Sequence, residues 1–197
     1  MSTHDKLVAV GGGSDTIPLD TDSTFAADSD KRVPTQKAVK AAFAAKHTAQ
    51  VYTQACAGAR VGGTAGWVIT GTNSGLVRLP ASQTASKLVV PLSFPLKVGS
   101  TISAYSVVSQ IESAGGTATL DVALYKCTNV AGDVTEADIG SITQVSVTAD
   151  TASTASKTLT SAEVVAAGET FYFLVTGTTA GSTDIALQGF TVTITEP

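Results

Sequence analysis

The tightest constraint in this chain is a period of two. In Thr119-Leu120-Asp121-Val122-Ala123-Leu124-Tyr125 the even positions through Leu124 are apolar, and Phe190-Thr191-Val192-Thr193-Ile194-Thr195 alternates without a break. Successive side chains of a β-strand point to opposite faces, so each such segment buries one face and wets the other. The same texture continues from residue 48 to the C-terminus. Strands are expected over residues 67–70, 76–79, 87–94, 101–112, 117–127, 142–148, 156–159, 170–176 and 184–195. Gly, Asn, Asp and Ser clusters at residues 71–75, 115–116, 129–133 and 177–183 supply the turns between them. Short alternating strands at this spacing predict an antiparallel β-sandwich of jelly-roll type. Pro91 and Pro95 bracket one apolar strand, which is therefore expected at an edge or bent there.

Composition narrows the function. Charged residues are 14% and aromatics 6% of the 197 residues, while 43% are hydrophobic. A disordered chain needs the reverse balance, and a helical one more Leu, Glu and Lys. A net charge of −4 argues against nucleic-acid binding. Two cysteines, Cys56 and Cys127, cannot staple a chain this long and read as small buried hydrophobes. No run of about 18 apolar residues is present, so no membrane insertion is expected. Four apolar residues after Lys6 are too few for a secretory signal. So little charge on a chain of this size implies a surface of hydroxyls, or one partly hidden between copies. Charge is also unevenly spread. Residues 31–111 hold nine Lys/Arg and no carboxylate, and residues 112–197 hold ten carboxylates and two lysines. The two halves can pair within one fold or between neighbours.

Two further regions precede the β-domain. Residues 1–33 are acidic and Gly-rich, with apolar clusters at Leu7, Val8 and Val10 and at Ile17 and Leu19. Such a segment has no core of its own and is expected to be an extended arm, reaching roughly 100 Å, whose apolar clusters dock on another protein. Residues 34–47 read as a helix about 20 Å long, opened by Pro34 at its first turn and rich in Ala. Val39, Ala42 and Phe43 form a narrow stripe for helix–helix contact, and a helix this short needs such a partner.

Catalytic arrangements are hard to place. His4 and His47 both fall outside the β-domain, which removes Ser/His/Asp and Cys/His chemistry from it. Gly62-Gly63-Thr64-Ala65-Gly66 lacks the Gly-Lys-Ser/Thr of a phosphate loop, and residues 71–75 read as a turn, not a nucleophile elbow. Carboxylates for glycan cleavage occur only from Glu112 onward and lack a cluster of stacking aromatics. Asp20, Asp22, Asp28 and Asp30 do not follow the order of a calcium loop. The expectation is a protein without enzymatic activity, cofactor or metal. Trp67, Tyr105 and Tyr125 are either core residues or stacking platforms for a ligand.

The stretch Ala27-Asp28-Ser29-Asp30-Lys31-Arg32-Val33-Pro34-Thr35-Gln36-Lys37-Ala38-Val39-Lys40 resembles the VPTQKAVK-type segment of bacteriophage tail fibres and related virion appendages. Val33 to Lys40 match that pattern at every position, and the resemblance covers about residues 20–46. It implies a homotrimeric virion protein, made in the host cytoplasm and attached to the particle through its N-terminal arm. A distal β-domain would then present loops, with Asn129 and Asp133 in one and Thr178 and Thr179 in another, to a host-surface glycan or protein. A capsid decoration or head-fibre protein and, less well supported, a glycan-degrading tail spike share the same plan.

Overall fold

The computed structural model describes most of residues 49–197 and, before them, residues 6–8, 16–20, 33–34 and 36–40; residues 57, 63–65, 70–76, 114–115, 131–132, 146, 148 and 150 lie outside the described set. The chain divides into two compact units, Met1–Thr48 and Ala49–Pro197.

In the first unit the two apolar clusters find each other. Strands β1 (Lys6–Val8) and β2 (Thr16–Asp20) pair antiparallel, with Leu7 opposite Ile17. Leu19 of β2 pairs in parallel with Val33 of β3 (Val33–Pro34). The described pieces of this unit are thus short paired strands. Short β-prone triplets close in sequence satisfy their backbone groups on one another at little loop-closure cost. Pro34 ends a strand instead of opening the helix, which the structure describes over residues 36–40 with Ala38 buried and Val39 half-buried. Val10, Ala42 and Phe43 lie outside the described residues.

The second unit is an antiparallel β-sandwich of jelly-roll type. One sheet has five strands in the order β11 (Asp133–Ile142), β10 (Ala118–Val130), β13 (Glu169–Thr179), β8 (Ser86–Pro91), β5 (Arg60–Gly62). The other runs β12 (Ser153–Val164), β9 (Thr101–Ser113), β14 (Asp184–Thr195), β7 (Val77–Leu79), β6 (Val68–Ile69), and β4 (Gln50–Ala55) pairs with the second half of β14. From β8 onward the chain crosses repeatedly between the sheets, so the core is built from alternating positions of both.

That core follows the period of two. Leu120, Val122 and Leu124 of β10, Phe171, Phe173 and Val175 of β13, and Phe190, Val192 and Ile194 of β14 are all buried. Phe173 stacks on Phe190 across the sandwich, ring centroids 4.1 Å apart, and Tyr105 tilts against Phe173 at 5.3 Å. The Tyr105 hydroxyl reaches from one sheet to the carbonyls of Val122 and Gly140 in the other, at 3.0 and 2.8 Å. Burial raises its pKa, with the Asp138 charge adding to the effect. Trp67 is buried too, donating its indole N–H to the Ser86 carbonyl at 2.9 Å. Both are therefore core residues. Charge pairing between the basic and acidic halves occurs inside the fold: Arg78 meets Asp184 at 3.9 Å and Lys97 meets Glu196 at 2.6 Å.

The strand boundaries depart from expectation in instructive places. The segment expected over 142–148 is displaced: the strand is β11, Asp133–Ile142, and it carries Asp133, Glu136 and Asp138. Charges are tolerated there because β11 is an edge strand, exposed over its first six residues. Strand β4 was not signalled because its pattern is inverted. Val51 is 65% exposed, whereas Gln54 is buried. The Gln54 amide donates to the Pro91 carbonyl at 3.2 Å and accepts from the Ser93 N–H at 2.9 Å, which ties β4 to the end of β8. Strand β8 is interior, between β13 and β5, not at an edge; it ends at Pro91, and the Leu92 N–H still donates to the Phe171 carbonyl of β13 at 3.1 Å. No helix among the described residues is long and apolar enough to cross a membrane.

Candidate functional site: the open face of the five-stranded sheet

Alternation on β10 and β13 sends Tyr125 and Tyr172 to the outer face of the five-stranded sheet. They are direct cross-strand partners and stack, with ring centroids 5.4 Å apart and planes 13° from parallel. Directly opposed aromatic pairs of this kind stabilise a sheet by up to about 1 kcal/mol. Both are half-buried. Pro91 of β8 lies opposite Tyr172, and Val89 lies opposite Leu174, so the tyrosines continue into a half-buried apolar strip.

Charges border the strip on either side. On the β11 side, Asp138 lies opposite Tyr125 and Glu136 opposite Cys127. The far side carries Lys87 on β8 and Arg60 on β5, both exposed. Burial, then a hydrogen bond to the Glu136 carboxylate, push the Tyr172 pKa up to about 12. Asp138 has a structural task. It accepts from the Gly140 N–H at 2.8 Å and from the Ser141 hydroxyl, folding its side chain onto its own strand where the register with β10 shifts. Gly140 sits at that irregularity against Leu159, whose Cδ2 would have to shift to admit a Cβ, 2.5 Å away.

The residues expected in receptor-facing loops divide into two pairs. Asn129 and Asp133 flank a tight hairpin, since pairing of β10 with β11 continues to Val130 opposite Asp133. Both are exposed, and Asp133 accepts a hydrogen bond from the Val134 N–H. Thr178 and Thr179 are not in a loop but in the last turn of pleat of β13, and this is a correction. Thr179 is buried, donating to the Pro80 carbonyl at 2.7 Å and accepting from the Gln83 N–H at 3.0 Å. Thr178 accepts from the Ala85 N–H at 3.0 Å. Their hydroxyls hold the residue 80–85 connection in place, where Ser82 and Ala85 adopt positive φ. Of the three aromatics singled out from sequence, only Tyr125 reaches the surface; its partner Tyr172 was missed, although position 172 alternates with the apolar 171 and 173.

Both cysteines are free thiols, Cys56 in the core and Cys127 half-buried beside Tyr172. Burial pushes the Cys56 thiol up to about 12. Among the described residues no group of His, Cys, Asp and Glu is placed to hold a metal ion.

No known family profile and no curated protein matches the chain. Solved structures do. The xylan-binding module CBM15 matches with a TM-score of 0.47 at 11% identity, over 76% of this chain and 99% of that one. A structure of infectious bursal disease virus, Gt strain, matches with a TM-score of 0.46 at 10% identity, over 77% of this chain and 34% of that one. A family two carbohydrate esterase from Cellvibrio japonicus matches with a TM-score of 0.41 at 14% identity, over 74% of this chain; the matched region is 34% of the esterase chain.

Proposed function

We propose that this chain is a structural protein of a bacteriophage particle, a homotrimeric appendage whose first unit attaches it to the tail or capsid and whose β-sandwich binds a host-surface glycan. The VPTQKAVK-type segment supports the virion assignment. The glycan assignment is carried by one observation, the stacked Tyr125–Tyr172 pair in the middle of an open sheet face, bordered by the Glu136 carboxylate.

The chemistry suits a sugar. Aromatic side chains offer an apolar body with a polar tip, and both tyrosines present that combination at a half-buried position. The C–H faces of a pyranose pack on such a strip, while its hydroxyls donate to Glu136 and exchange hydrogen bonds with the tyrosine hydroxyls. Lys87 and Arg60 favour an acidic sugar at the other border. The role is binding, not turnover. Asp138 is engaged by Gly140 and Ser141, so Glu136 has no free carboxylate beside it on β11 to complete an acid–base pair.

The test is calorimetric titration of the full-length protein with purified bacterial O-antigens, capsular polysaccharides and teichoic acids. Saturable binding to at least one, weakened tenfold or more by Tyr125→Ala and by Tyr172→Ala, is the expected result. Absence of binding across the panel and to intact host cells, or binding indifferent to both substitutions, overturns the glycan role.

A further inference from the structure

We infer that the sugar chain held on the five-stranded sheet is acidic and lies across the strands, with its rings on the tyrosine strip and a uronate carboxylate on Arg60 and Lys87. This rests on the glycan reading above and specifies what that site accepts. The strip has a direction. Tyr125, Tyr172 and Pro91 are successive cross-strand partners on β10, β13 and β8, and Ala123, Leu174 and Val89 form the row beside them. All six are half-buried. Along the strands the strip stops at Thr176 on one side and Thr170 on the other. Across the strands it continues, because Arg60 on β5 stands opposite Val89. Four strands span about 14 Å, whereas two rows of side chains span about 7 Å. The long axis of the platform therefore crosses the strands and ends on a guanidinium.

The two charged borders of the platform are not equivalent. Its carboxylates already hold protein donors. Asp138 accepts from Gly140 and Ser141, Asp121 from the Gln144 N–H at 2.7 Å, and Glu136 from the Tyr172 hydroxyl. Its cations hold none of the fold's acids. Arg78, Lys97 and Lys126 are each paired with a carboxylate, and Lys157 lies opposite Tyr105 on the inward side of β12. Among the described residues no ion pair includes Arg60 or Lys87, and both are exposed. They are diagonal neighbours on adjacent strands, since Gly62 stands opposite Lys87 and brings no side chain between them. Diagonal positions lie about 7–8 Å apart, within reach of long side chains, and two like charges there repel until an anion bridges them. A carboxylate suits this corner, because a guanidinium binds it through two parallel hydrogen bonds. A neutral glycan covers the apolar strip and leaves the two cations unmatched. A polyol-phosphate chain matches the cations and brings few ring C–H faces to the strip. A uronic-acid polymer supplies the ring and the charge together.

The test is calorimetric titration of the full-length protein with bacterial capsular polysaccharides that contain uronic acid, each beside its carboxyl-reduced neutral form, and with polyol-phosphate teichoic acids. At least one uronate polymer is expected to bind, and carboxyl reduction to weaken it about tenfold or more. Arg60→Gln combined with Lys87→Gln is expected to produce the same loss for the acidic polymer and none for the reduced one, while Lys157→Gln changes neither. Raising salt from roughly 0.02 to 0.5 M shortens the Debye length, and is expected to weaken the parent severalfold and the double variant little. Binding that is lost in Tyr125→Ala or Tyr172→Ala, yet equal for acidic and reduced polymers or indifferent to the double variant, overturns this inference and leaves the glycan reading standing. So does binding confined to teichoic acids. Binding to no polysaccharide overturns both.

Discussion

At the scale of single residues, the molecule uses its few polar and aromatic side chains to connect layers. Tyr105 and Gln54 both leave their own sheet to hydrogen-bond carbonyls of the other. Tyr172 works outward. Its hydroxyl is held in the protonated form by burial and by Glu136, with a pKa of about 12, against about 10 for an unfolded tyrosine. A raised pKa means that the protonated form is the stabilising one. The contribution is complete below about pH 10 and is lost as pH rises through about 12, because the unfolded chain ionises first. The difference in phenolate absorbance between parent and Tyr172→Phe is expected to show a transition near pH 12, shifted downward by Glu136→Gln. A difference curve centred near pH 10 refutes the assigned hydrogen bond and burial.

At the scale of strands, glycine decides where elements can approach. Gly189 sits opposite Ala55, and a Cβ there would lie 2.4 Å from the Gln54 carbonyl oxygen, a backbone atom. Gly189→Ala is therefore expected to detach β4 from β14, seen as lost hydrogen-exchange protection at residues 50–55 with the amides of β10 and β13 unaffected. At Gly177 the obstacle is side chains, Leu79 at 2.4 Å and Trp67 at 2.9 Å. Gly177→Ala overpacks the core and is expected to cost about 1–3 kcal/mol, measurable as a lower urea midpoint. Neither glycine was recognisable in the sequence as anything but a turn former or a weak point in a strand. Which neighbour comes within 3 Å is set by pairing and packing between segments about a hundred residues or more apart. The charged edge strand β11 and the inverted strand β4 were unreadable for a related reason. Periodicity reports burial on one face, and an edge strand is only partly buried on either.

At the scale of the whole β-domain, the two sheets are fastened at one end by charge. Lys126 of β10 contacts Glu163 of β12 at 2.6 Å and Glu169 of β13 at 3.3 Å. Hydrogen bonding to Glu163 leads the effects that raise the Lys126 pKa. The protonated lysine is thus the stabilising form; its contribution is full below about pH 10.4 and fades as pH rises further. Lys126→Ala leaves Glu169, whose side chain is 7% exposed, without its cation. It is expected to destabilise the domain by about 1–3 kcal/mol at neutral pH, with the gap to the parent narrowing above pH 11 in urea titrations. The sequence by itself determined the β-sandwich, the boundary near residue 48 and the inward set on the long strands, because a period of two and a supply of turn residues are local properties. The tertiary structure alone decided that Thr178 and Thr179 are bracing residues, that Tyr172 stands beside Tyr125, and that Gln54 ties β4 to the end of β8. Those facts depend on register and on which strands become neighbours, and strand pairing is a property of the whole chain.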